Sequence, residues 1–146
     1  MKFVRNLLLL VVILGMIGHL YIRSKYRFTM DIELIDTIQI MHRVSEDSGD
    51  PTNYSLIKEL EADEFCSFMN QIYALKTKKG GTPPRWGYGE YIAKVTYQNG
   101  DMEILGSYCI EYVRSGGQQS GVGEYYFVEQ DSFLSIIQSY LSQQNI

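Results

Sequence analysis

Glu90-Tyr91-Ile92-Ala93-Lys94-Val95-Thr96-Tyr97-Gln98-Asn99-Gly100-Asp101-Met102-Glu103 decides the fold class of this 146-residue chain. Tyr91, Ala93, Val95 and Tyr97 alternate with other residues, the period of a half-buried strand, here Glu90–Gln98. Asn99-Gly100 reads as a two-residue hairpin turn, whose two central positions both need positive φ. Asp101–Arg114 then returns as one long strand, with Met102, Ile104, Tyr108, Ile110 and Tyr112 alternating. An antiparallel pair is thus the centre on which the rest must pack.

Upstream, Phe65, Phe68, Met69, Ile72 and Leu75 fall at spacings of three and four, which predicts a helix over Asp63–Leu75. Glu61, Asp63 and Glu64 suit its positive end and Lys76, Lys78 and Lys79 its negative end, with Gly80-Gly81 as the stop. Before it, a strand begins near Glu33 and alternates through Ile38 and Ile40 to Arg43. Glu46–Asn53 has the composition of a turn, and Tyr54–Leu60 returns as a shorter strand. Downstream, the Gly- and Gln-rich Ser115–Gly123 connects to a last strand, Glu124–Glu129. A final helix, about Ser132–Ser142, is capped by Asp131 or Ser132 and buries Phe133, Leu134, Ile137, Tyr140 and Leu141. The order ββαβββα predicts an α+β domain, a mostly antiparallel five-stranded sheet with two amphipathic helices on one face.

That domain occupies residues 28–146. Residues 1–27 are different. Leu7–Ile22 has no fixed charge, and Lys2 and Arg5 precede it while Arg23, Lys25 and Arg27 follow. Phe3–Ile22 makes 20 residues, about 30 Å as a helix, the length of a transmembrane helix. A soluble helix would keep a polar face, and Leu7–Leu14 has none. A cleaved secretory signal opens the same way, but Met16 is large where a cleavage site prefers a small residue, so an uncleaved anchor in the lipid bilayer is favoured. Basic flanks at both ends nearly balance. The short leading tail and the likeness to a signal sequence favour a single-pass cell-membrane protein with its domain outside, or a secreted one after cleavage.

All 17 acidic residues lie after Arg27 and only eight of the 13 basic ones do, so the domain carries −9. Such a surface repels phosphate backbones and argues against nucleic-acid binding, while keeping a tethered domain soluble. Cys66 and Cys109 form no C-x-x-C, so a thioredoxin motif and a zinc knuckle are excluded. Two buried free thiols are favoured over a disulfide.

An anchor, a hairpin, an amphipathic helix, and an aromatic strand running into Tyr97-Gln98-Asn99-Gly100-Asp101-Met102-Glu103 give the chain its resemblance to a known class. It resembles the small membrane-tethered domains, many of unassigned function, found outside the membrane of Gram-positive bacteria. The resemblance implies a compartment and no site residues.

Residues with chemistry are sparse. His19 lies in the apolar run and His42 ends a strand. A Cys–His pair, His42 with Cys66 or Cys109, lacks an identifiable orienting group. Glu46, Asp47 and Asp50 do not follow the EF-hand spacing. Glu103 and Glu111, eight residues apart on one strand, would stand about 26 Å apart and form no catalytic pair. The stretch Lys76–Tyr91 holds the domain's basic cluster and its single Trp. Lys78, Lys79, Arg85, Trp86, Tyr88 and Tyr91 are the candidate binding residues, being types that dominate binding hot spots or lie beside them. Trp86 covering a sheet edge is the structural alternative. The expectation is a membrane-anchored extracytoplasmic binding module with a protein partner, non-enzymatic, without cofactor or metal, and possible in an immunity or inhibitor role. A thiol-dependent enzyme and a membrane-complex subunit acting through its helix are the rival classes.

Overall fold

The computed structural model describes residues 2–23, 28, 31–45, 53–80, 87–116 and 119–143. Helix α1, Lys2–Arg23, covers the apolar run. Its described side chains pack into neither core cluster, with exposures from 44% at Ile13 to 65% at Leu8 and Leu20. Among the described residues no helix is long and apolar enough to cross a membrane.

Phe28 already packs against the domain's core, and Asp31, whose carboxylate accepts the Glu33 N–H, caps its first element, the 3-10 turn Ile32–Leu34. Strands β1 (Ile35–Arg43) and β2 (Tyr54–Glu59) follow, then α2 (Ala62–Ala74) and β3 (Thr77–Lys79). After these come β4 (Tyr91–Tyr97), β5 (Met102–Gly106), β6 (Ile110–Val113), β7 (Gln119–Phe127) and α3 (Gln130–Ser142). All seven strands form one sheet in the order β2-β1-β4-β5-β6-β7-β3, and every neighbour is antiparallel.

The fold is α+β as expected, but among the described residues the sheet has seven strands and not five. Asp101–Arg114 is two strands, because the chain turns at Gly106 and pairs Leu105 with Ile110. Gly106 is there for space: a Cβ would stand 2.3 Å from the Tyr88 carbonyl oxygen. The turn flips the alternation, so Ile104 faces one side of the sheet while Ile110 faces the other. The second extra strand is β3, where Thr77–Lys79 pairs with Tyr125–Phe127 instead of closing the preceding helix.

α2 forms one residue earlier than its stripe suggests, and the Glu64 carboxylate accepts the Glu61 N–H at 2.8 Å to close its first turn. Phe68, Met69 and Ile72 are fully buried against Ile38, Ile40, Val95 and Leu105 of the sheet. α3 lies beside it, with Phe133 stacked on Phe127 at 5.0 Å and Tyr140 edge-on to Phe68 at 5.2 Å. Burying each such ring stabilises the fold by about 1.5–3 kcal/mol. Lys58 ties the layers together: its ammonium, on a side chain only 9% exposed, reaches Glu64 and the Tyr140 carbonyl, both at 3.0 Å.

The other face holds a smaller cluster, Tyr54, Tyr88, Ile92, Ile104 and Cys109. Glu111 lies among these side chains at 1% exposure and accepts the Tyr88 hydroxyl. Burial raises its pKa.

Candidate functional site

The β4–β5 loop does not take the two-residue form expected of Asn99-Gly100. Tyr97 pairs with Asp101 through its N–H at 2.9 Å, and Gly100 returns its N–H to the Tyr97 carbonyl at 2.8 Å. The loop is therefore the three residues Gln98–Gly100, and only Gly100 has positive φ, at 84°. Local chemistry selects it. The Asn99 side chain accepts the Asp101 N–H at 2.9 Å and donates to the Asp101 carboxylate at 3.0 Å. Gln98 gives its backbone N–H to Leu34 and its side-chain amide to the Glu33 carbonyl, clipping the 3-10 turn against the end of β4.

Between that turn and the loop lies a cleft of about 350 Å³. Asp31 and Leu34 form one wall and Gln98, Asn99 and Asp101 another, with Tyr97 and Tyr112 completing the lining. The volume sits at the lower end of the range of small-ligand sites. The Asp101 carboxylate accepts the Tyr112 hydroxyl, the Ser115 N–H at 2.8 Å and the Asn99 amide. These bonds, the Tyr112 hydroxyl first, hold its pKa below the usual carboxylate range and keep it ionised. The same bond, aided by burial, pushes Tyr112 up to about 12. The cleft is acidic by construction. Arg114, which also lowers the Asp101 pKa, is outside the lining.

The sequence candidates are not brought together. Lys78 and Lys79 are exposed on β3 at one edge of the sheet. Tyr91 is on β4, four strands away, about 19 Å at sheet spacing. It packs against His42 at 4.9 Å. Tyr88 is buried on the opposite face from the helices. Arg85 and Trp86 lie outside the described residues, as do Glu46, Asp47 and Asp50 of the acidic turn. The two lysines put charge on an exposed edge strand, where charged side chains in general discourage pairing with another chain.

The pairing of His42 with Cys109 does not assemble. Regular pairing of β1 with β4 puts His42 on the same, helix-facing side of the sheet as Ile40, whereas Cys109 belongs to the cluster on the opposite side. His42 instead meets Glu90 at 3.5 Å, with both side chains well exposed. Cys66 is exposed on α2, so the two thiols are not joined and only one is buried. Glu103 and Glu111 are not on one strand. They sit on adjacent β5 and β6 and face opposite sides, as Glu103 pairs with Tyr112 and Glu111 with Ile104. Among the described residues no group of three His, Cys, Asp or Glu side chains could hold a metal ion.

Asp31, Tyr97, Asp101 and Tyr112 had no place among the sequence candidates. The usable signal was Asn99-Gly100-Asp101, a loop whose Asp can fold back on its own Asn. Compared with known proteins, the chain matches no family model, no curated protein and no solved structure. The fold and the cleft define a class only: an antiparallel α+β domain with an acidic, aromatic-lined cleft, preceded by an apolar helix.

Proposed function

We propose that the protein is a membrane-anchored binding domain without catalytic activity, with α1 in the bilayer and the acidic domain outside the cytoplasm. The observation behind this reading is that α1 exposes large apolar side chains on every side. Leu7 through Leu14 are each 44–65% exposed. In water such a helix is unstable as a surface element, and a lipid phase is the solvent that suits it. In the sequence, the apolar run Phe3–Ile22 has 20 residues, about 30 Å as a helix, which is the length a hydrocarbon core asks for. Basic residues Lys2 and Arg23 bound the helix in the sequence, as suits a segment flanked by headgroups. The non-catalytic reading is supported by the sheet that separates the Cys109 cluster from His42. The functional surface is the cleft beside Asp31, which begins eight residues after α1 ends.

The test is extraction. Membranes bearing the full chain should retain it through an alkaline carbonate wash, and Leu10→Glu with Ile13→Glu should release it. Protease added to whole cells should digest the acidic domain. Release of the unaltered chain by carbonate would overturn the anchor, and protection of the domain in intact cells would overturn its placement.

A further inference from the structure

We infer that the cleft between the 3-10 turn and the β4–β5 loop binds a primary alkylammonium group, carried by a free amine or by a lipid headgroup. This rests on the binding-domain reading above but not on the membrane placement. The cleft offers acceptors, and donors from three of its lining residues are engaged. The Asn99 amide and the Tyr112 hydroxyl donate to Asp101, and the Gln98 amide donates to the Glu33 carbonyl. Among the described residues no Lys or Arg lines it. An ionised carboxylate has about four lone-pair sites. Among the described residues, the three donors on Asp101 leave room for one more, and the Glu33 N–H occupies one oxygen of Asp31.

Charge and shape select the ligand together. Two carboxylates repel phosphate, sulfate and carboxylate ligands and attract a cation. An ammonium with three N–H donors matches an acceptor-rich wall, whereas a quaternary nitrogen brings none. The tyrosines and Leu34 give the apolar surface on which a short alkyl chain can lie, and an aromatic ring near a cation adds attraction. The lining is mostly apolar with a few polar groups, the usual balance of a small-ligand site.

n-Butylammonium is the probe, with n-butanol and tetramethylammonium as comparators, titrated into the full chain in phosphatidylcholine nanodiscs. The readout is the NMR shift of the Gly100 amide and the Asn99 side-chain amide. Butylammonium should saturate with a Kd on the order of 1 mM, while butanol and tetramethylammonium bind at least tenfold more weakly. Asp31→Asn, which keeps a capping side chain, should weaken binding about tenfold without shifting the melting temperature. Leu34→Lys, at a half-exposed position, should tether an ammonium in the cleft and block the probe. Nanodiscs containing phosphatidylethanolamine should compete if the source is a headgroup and leave the titration unchanged if it is a free amine. Equal binding of butanol, no saturation, or an unaffected Asp31→Asn would overturn the inference. Failure of the carbonate extraction would leave it standing.

Discussion

Replacing Gly106 with Ala tests the contact that splits one expected strand into two. The new Cβ would lie 2.3 Å from the Tyr88 carbonyl oxygen and 2.6 Å from its Cβ. A comfortable carbon–oxygen contact is about 3.3 Å, so the two backbones must part by roughly 1 Å. The obstacle is backbone, and no rotamer change relieves it. Overpacking of this kind costs about 1–3 kcal/mol. Displacing Tyr88 also endangers its hydroxyl bond to Glu111, a carboxylate partner contributing about 1.5–3 kcal/mol, and its edge-on contact with Tyr54 at 6.4 Å. These contributions overlap, and the expected loss is about 2–4 kcal/mol. At roughly 4 °C per kcal/mol for a domain of this size, the melting temperature should fall by about 8–16 °C.

The assay is near-UV circular dichroism of the full chain in a mild detergent, with Tyr88→Phe as comparator. Loss of the hydroxyl alone should cost about 1–3 kcal/mol. If the Gly106→Ala substitution acts by moving Tyr88, the double variant should cost less than the sum of the singles by about 1 kcal/mol or more. Additive singles, or a Gly106→Ala variant within about 0.5 kcal/mol of the parent, would refute the close approach.

Three further outcomes follow from the same structure. Burial raises the folded pKa of Glu111, so its contribution is fully present below the unfolded value of about 4.3 and is lost as pH rises through the raised one. Urea midpoints of Glu111→Gln should therefore gain on the parent as pH climbs through that window, and a constant difference would refute the buried carboxylate. Glu64 runs the other way. Burial pushes its carboxyl up, but the Glu61 N–H and the Lys58 ammonium outweigh this and hold it low, so its stabilisation is present above the unfolded pKa and lost as pH falls. Glu64→Gln should be destabilised at neutral pH and converge on the parent in acid, read by the same midpoints. Lys78→Val with Lys79→Val strips the charge from the β3 edge and should produce higher oligomers in light scattering, while a monodisperse variant would show that the edge needs no protection.

Where neighbours in sequence decided structure, the sequence was legible. The apolar stripe of α2 and the alternation of β4 survive with boundaries shifted by a residue, because each depends on residues within a few positions. The misreadings lie where a distant segment decides. Met102 to Tyr112 keeps an alternating pattern straight through Gly106, and nothing local marks the break. The deciding partner is Tyr88, eighteen residues earlier. Thr77–Lys79 follows a helix and is basic, which suits a helix terminus. It is a strand because Tyr125–Phe127 offers it a backbone ladder from nearly fifty residues away.

The site was lost for the same reason, in a sharper form. Closeness in sequence suggested that Lys78, Lys79, Tyr88 and Tyr91 make one surface. A sheet disperses such a stretch: β3 leaves for the far edge, Tyr88 turns to one face and Tyr91 to the other. What a sheet brings together instead is whatever sits at the same end of its strands. Asp31 enters β1 at the end where β4 leaves for β5, so seventy residues separate it from Asp101 in sequence and only a narrow cleft separates them in space. Acidic residues scattered along this chain look like a diffuse surface charge. Strand order sets two of them on facing walls of one cleft, and that arrangement can select a ligand where net charge alone cannot.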